Sequence, residues 1–342
     1  MRSRLIRHGA KTLVIGVACL CVFVAPGTAN AGDGGNGNGS SGSSSPSGNT
    51  QSPSTISATA QSQVKVSSNY KGPGSPVAPS DTSWSPPPCW YEPRYTPTQY
   101  QDYYRNSLKG WDTGKQFIWP EYQKLEQEKY NQGKDGLWWE LVYNENIPPE
   151  KALGNCSVSD PFAWVPKGDP SPPAGVLTPE ELSKIAYSAT KLPSPPVQLS
   201  PTADKQVVNL PTYVKFTAPL DRVWVTASLD AQGVSIAATT VATPVALKID
   251  AGTTDADPQT CAYDLEKSSG GYQVDSSQAP CNITYRKSSG SSTYPLKAQI
   301  TWKVTWTASA NPDGPAQQPP LPDGLSTYQQ DVTVKEIQTV VR

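Results

Sequence analysis

The sequence predicts a mixed fold: a small aromatic-rich α or α/β module followed by an all-β sandwich, with a disordered N-terminal tether ahead of both. Three observations carry this expectation. Aromatic residues crowd into the segment between Cys89 and Cys156. Beyond Pro196, short alternating apolar and polar runs recur between turn residues, the pattern of a β-sandwich. Gly and Pro, 26 and 35 of 342 residues, exceed their usual share of roughly 12%, while hydrophobic residues are only 36%, so part of the chain lacks the means to build a core.

Residues 1–31 read as a secretory signal, with Arg2, Arg4, Arg7 and Lys11, an apolar run from Leu13 to Ala25, and Ala29-Asn30-Ala31 as the cleavage site. The run is shorter than the ~18 residues that span a bilayer, and no membrane span is expected in the mature chain. Cleavage removes Met1, His8, Cys19, Cys21 and four basic residues, so the net charge moves from −1 to −5. A mature chain without histidine has no Ser-His-Asp or Cys-His machinery and no His-bearing zinc site. The remaining Cys89, Cys156, Cys261 and Cys281 read as disulfides in an exported protein, which removes thiol nucleophiles as well. No catalytic residue, metal or cofactor is therefore expected, and the mildly acidic balance argues against a nucleic-acid partner.

Residues 32–84 form the expected tether. Up to Ser68 they are mainly Gly, Ser, Asn, Thr and Gln, with no aromatic and only Asp33 and Lys65 as charges. Prolines from Pro73 to Pro88 stiffen the chain beyond that point. The module at 85–165 opens with Thr96 as a helix cap and Pro97 at the first helical position, with Gly110 as the stop. A second helix is expected over 120–132, and Leu137–Tyr143 reads as a strand or a short buried helix, which periodicity does not decide. With few aliphatic residues, the module needs its aromatics and a Cys89–Cys156 bridge to hold it.

A Pro-rich connector spans 166–197. It carries one helix, begun by the capping box at Thr178-Pro179-Glu180-Glu181 and ended by Pro193, Pro195 and Pro196. The sandwich covers 198–342. Its clearest strand runs from Tyr294 to Thr307, with Leu296, Ala298, Ile300, Trp302, Val304 and Trp306 on one face and Lys and Thr on the other. In Arg222–Leu229 the apolar set is Val223, Val225, Ala227 and Leu229, leaving Trp224 on the opposite face. Four cysteines allow three pairings; the expected one keeps Cys261 with Cys281.

Asn282 to Tyr285, a Ser/Gly turn, Tyr294 and the alternating strand resemble the closing hairpin of PKD-type, immunoglobulin-like sandwiches. Leu247–Gly252 stands where that fold carries a Trp-Asp-Phe-Gly-Asp-Gly turn. The order of signal, tether, Cys89-Trp90-Tyr91-Glu92-Pro93, the helix at Thr178, Gln206–Pro211 and Glu336–Gln338 resembles a family of actinobacterial, Streptomyces-like exported proteins. That resemblance implies an architecture and a compartment, and no site residues.

Several constellations could carry chemistry. Ser188 and Lys191 have the spacing of a Ser-Lys nucleophile but fall at the end of a helix. Glu126, Glu128, Asp135, Glu140 and Glu145 lie near Trp138 and Trp139, and a carboxyl buried against Trp would have the raised pKa of a general acid. Asp250, Asp255 and Asp257 suggest an oxygen-ligand calcium loop without completing a motif. Trp84, Trp90, Trp111, Trp119, Trp138, Trp139 and Trp164 supply flat faces that stack on sugars or, alternatively, form an aliphatic-poor core. The binding candidates are Trp138, Trp139 and Trp224. The expected function is a secreted, non-enzymatic binding protein of the cell envelope, its partner a cell-wall polysaccharide or another envelope protein. The alternatives are a carboxylate-based glycoside hydrolase and a structural spacer.

Overall fold

The computed structural model describes residues 60–107, 115–158 and 160–337. The expected signal at 1–31, the tether up to residue 59, Gly110 and Trp111 lie outside the described residues. The fold is predominantly β. Its largest element is an antiparallel seven-stranded sheet, ordered Lys65–Ser68, Val223–Ala231, Val234–Asp250, Tyr294–Thr307, Gly324–Val332 and Ala78–Pro79, with Thr260–Asp264 pairing separately onto Val234–Asp250. A four-stranded antiparallel sheet has the order Ala256–Asp257, Ile283–Tyr285, Pro211–Phe216, Val197–Ser200. Among the described residues no helix is long and apolar enough to cross a membrane.

Alternation determines the core. On Tyr294–Thr307 the six expected inward residues from Leu296 to Trp306 are all buried, and on Val223–Ala231 so are Val223, Val225, Ala227 and Leu229. Trp302 is sealed completely and donates its indole N–H to Ser326 Oγ at 2.9 Å, which meets the condition for burying an indole. Val234–Asp250 is one continuous strand although it contains Pro244. Pro244 interrupts the pattern, but a register shift between Pro244 and Ala246 absorbs the missing N–H and the ladder resumes against Thr301.

The aromatic module is built on a three-stranded antiparallel sheet, Cys89–Tyr95, Gly136–Tyr143 and Phe162–Pro166, so Leu137–Tyr143 is a strand. Helix Pro97–Ser107 starts in a reciprocal capping box: Gln99 N donates to Thr96 Oγ1 at 3.3 Å, and Thr96 N donates to Gln99 Oε1 at 2.9 Å. The second helix, expected over 120–132, spans Lys115–Gln127. It stops early because Lys129, Tyr130 and Asn131 all take left-handed backbone, with φ of 49°, 53° and 61°. Both disulfides pair as expected, Cys89–Cys156 and Cys261–Cys281, with Cα separations of 5.6 and 5.8 Å.

Two boundaries need correction. Part of the expected 32–84 tether is sheet: Lys65–Ser68 pairs with Val223–Ala231, Gly74–Pro76 with Lys191–Pro193, and Ala78–Pro79 with Gly324–Val332. Composition predicts little burial there, and indeed Val66 is exposed, but open sheet edges offer these segments backbone hydrogen bonds instead. Asn69 fastens the first of them, donating to Arg222 O and accepting from Trp224 N. The 166–197 connector likewise belongs to the core. Its helix, Pro179–Ser188, capped by Thr178 Oγ1 accepting from Glu181 N, buries Leu182, Ile185 and Ala186, and Ser183 O accepts from Thr240 Oγ1 of the main sheet. One buried cluster takes residues from Trp90 to Val334 across the expected divisions, and Tyr100, Leu125, Tyr130 and Trp138 form a second.

Candidate functional site

Trp138 and Trp139 occupy adjacent positions on a strand and so point to opposite faces, yet both are buried, at 8% and 5% exposure. Trp138 stacks on Tyr100 with ring centres 4.2 Å apart, and its indole N–H donates to Tyr130 O at 3.0 Å. Trp139 joins the main core. Neither presents a flat face to a ligand, which corrects their placement as binding residues. In a module short of aliphatics the indoles are consumed as packing. Trp224 differs. It is partly exposed on the largely polar face of the main sheet, with buried Val241 directly across from it, Thr226 beside it on the same strand and Thr305 one strand further.

The five candidate carboxylates are not gathered into one site. Glu126 accepts from Nε and Nη2 of Arg105, at 3.0 and 2.9 Å, and from Tyr130 Oη at 3.0 Å; these bonds hold its carboxyl below the ordinary range. Glu128, Asp135 and Glu145 are exposed, Asp135 lying 3.5 Å from Lys167. Glu140 is the one that is pushed upward, first by burial and further by Glu92 across the strand pair, against the pull of Arg94 at 3.3 Å. Glu92, its register partner, is fully buried and already occupied. Its Oε1 accepts from Ser62 Oγ at 2.6 Å and Trp90 Nε1 at 2.8 Å, and its Oε2 from Gln63 N at 2.7 Å. Glu92 thus works as a fastening between the module and the segment leading into Lys65–Ser68.

The other two motifs resolve into structural roles. Ser188 Oγ donates to Ile185 O within its own helix, and Lys191 is exposed on the following strand. Asp257 pairs with Arg286 at 3.3 Å, Asp255 with Lys287 at 3.8 Å, and Asp250 Oδ1 accepts from Gly252 N. No group of three or more metal-binding side chains occurs among the described residues.

A feature that the sequence patterns did not reveal is a groove of about 570 Å³ at the Cys89–Cys156 disulfide. Trp84 and the proline rings of residues 86–88, 172 and 173 wall it, and Glu181 and Lys184 supply charge at one side. Trp84 is partly exposed and meets Tyr187 edge-on, with ring centres 4.6 Å apart. Lys184 is held by Glu180 at 3.0 Å and Glu181 at 2.8 Å. The local signal was present: Trp84 stands two residues before three consecutive prolines and a bridged cysteine, a rigid frame for an aromatic wall. Glu126, Glu128, Asp135, Glu140 and Glu145 do not line this groove. The chain matches no family model, no curated protein and no solved structure.

Proposed function

We propose that this protein is an exported, non-enzymatic binding protein of the cell envelope, and that it holds a polysaccharide chain in the groove walled by Trp84. The observation that carries this reading is the groove itself. A partly exposed indole and proline rings provide flat apolar surface, and Asn155, Ser157, Thr178 and Lys184 provide hydrogen-bonding groups around it. Apolar walls with a few polar groups are the usual composition of a small-ligand site, and 570 Å³ lies within the common range of ~300–1,000 Å³. Trp224 adds a second partly exposed aromatic on the polar sheet face, suited to a further contact along an extended chain. Export is supported by two disulfides, which persist in oxidising compartments. An immunoglobulin-like sandwich and membership of the actinobacterial exported family are part of the same proposal; the two antiparallel sheets favour the former.

The test is retention of the chain from Gly32 onward on insoluble polysaccharides and purified cell wall, with sugar release followed in the supernatant. Retention without release, reduced by Trp84→Ala and to a lesser degree by Trp224→Ala, supports the proposal. Retention that survives both substitutions moves the site elsewhere. Sugar release abolished by Glu140→Gln would overturn the non-enzymatic reading.

A further inference from the structure

The lining of the Trp84 groove restricts the charge of whatever it holds. Among the described residues its charged side chains are Glu181 and Lys184, both carried by the helix Pro179–Ser188. Neither is free. Lys184 Nζ lies 2.8 Å from Glu181 Oε1 and 3.0 Å from Glu180 Oε1, at the two spacings that bring side chains together on one helical face. Burial alone would draw the Lys184 pKa down, but the two carboxylates outweigh it and the net shift is upward, so the ammonium stays charged and engaged. It can still donate a further hydrogen bond, yet it presents no unbalanced positive charge.

A ligand of either sign therefore lacks a complementary partner here. An anion would meet two carboxylates set against one ammonium, and a cation would have to draw a carboxylate away from Lys184, giving up one ion pair to form another. The other polar groups are neutral. Ser85, Asn155 and Ser157 line the groove and are exposed, and among the described residues their side chains make no hydrogen bond within the protein. They offer two hydroxyls and one amide, which donate and accept alike. Their positions are held by the fold: Asn155 and Ser157 flank Cys156, whose bridge to Cys89 ties them to the wall that Trp84 and the prolines begin. The opposite wall is fastened to the same strand, with Tyr91 N donating to Gly175 O at 2.8 Å and Leu177 N donating to Tyr91 O at 3.2 Å.

We propose that the Trp84 groove selects an uncharged glycan, one whose polar groups are hydroxyls or acetamides and which carries no carboxylate, phosphate or free amine. The sugar rings lie against Trp84 and the prolines, and Ser85, Asn155 and Ser157 pair with the neutral groups at their edges. This inference rests on the polysaccharide reading above and adds to it the chemical class of the chain.

Calorimetric titration of the chain from Gly32 onward tests it, with oligomers of equal length built from glucose, N-acetylglucosamine, glucosamine and galacturonate. A mildly acidic buffer keeps the free amines and the carboxylates ionised. The expected result is that an uncharged oligomer binds at least about tenfold tighter than either charged one, with an affinity indifferent to added salt. Trp84→Ala and Asn155→Ala should each weaken that binding. The double variant Glu180→Gln/Glu181→Gln keeps residues suited to a first helical turn but leaves the Lys184 ammonium unbalanced, so its affinity for galacturonate should rise about fivefold or more. A charged oligomer bound as tightly as the uncharged ones, or binding that falls with salt, would overturn the selection by charge and leave the polysaccharide reading standing. An unchanged galacturonate affinity in the double variant would likewise overturn it. Binding of none of the four oligomers would overturn the polysaccharide reading itself, and with it this inference.

Discussion

Replacing Glu92 with alanine should loosen the N-terminal edge of the main sheet before anything else. The carboxylate accepts three hydrogen bonds, from Ser62 Oγ, Gln63 N and Trp90 Nε1. The bond to Trp90 is buried, and without it the indole N–H has no acceptor, a loss of about 1–3 kcal/mol. The bonds to Ser62 and Gln63 are only part-buried, so water replaces them in part and each is worth about 1 kcal/mol. Removing one carboxylate also relieves its repulsion of Glu140 across the strand pair, which returns a fraction of the loss. The net expectation is destabilisation by about 2–4 kcal/mol. Urea unfolding followed by tryptophan fluorescence, with the disulfides intact, measures the total. Amide hydrogen exchange measures the locality, because Lys65–Ser68 lies just beyond the two residues that Glu92 holds. Exchange should rise there and stay protected in Tyr294–Thr307. A loss below about 1 kcal/mol with unchanged exchange at 65–68 would refute the reasoning.

Glu140 has a pKa raised on folding, chiefly by burial, so its contribution to stability is fully present below the unfolded value and is lost as pH rises through the folded one. The melting temperature of the native protein relative to Glu140→Gln should therefore fall as pH rises from about 4.3 upward; a difference constant with pH would contradict this. Trp138→Ala should cost about 3–5 kcal/mol in unfolding experiments through lost packing on Tyr100, whereas Trp224→Ala should cost under about 1 kcal/mol; equal costs would place the two indoles in similar environments. Paired replacement of Cys261 and Cys281 by Ser should cost about 3 kcal/mol for a 20-residue separation, measured by calorimetry. Gly252→Ala should cost about 2 kcal/mol or more, since φ is +71° and a Cβ would meet the Pro295 carbonyl; an unchanged melting curve would argue against that turn.

Local patterns in the sequence proved informative wherever the cause was local. The caps at Thr96 and Thr178 depend on residues three positions apart and form as expected. The two-residue period of Tyr294–Thr307 survives into the structure because one face meets a core and the other meets water. Pro244 pointed in the wrong direction: proline argues against a continuous strand, and only the neighbouring bulge allows one. Gln61–Ser68 offers only Val64 and Val66 as an apolar signal, because much of its order comes from backbone pairing and from Glu92, more than 20 residues away.

The candidate site divides along the same line. The choice between a packing and a binding tryptophan is invisible in an aromatic-rich segment, because it turns on which surfaces the fold places over each ring. Tyr100 covers Trp138, the main core covers Trp139, and Trp84, packed on Tyr187 at one edge, stays partly exposed beside prolines drawn from two distant segments. The Trp84 groove likewise exists only once the fold sets the chain around residues 84–89 beside residues 172–184. Strand periodicities, helix starts and the available side-chain chemistry were legible in the chain alone, all being consequences of covalent neighbours and residue type. The tertiary structure alone decided which aromatics meet solvent, where the carboxylates are used up and where the edges of the sheet are closed, because burial and hydrogen-bond pairing depend on contacts between residues far apart in the chain.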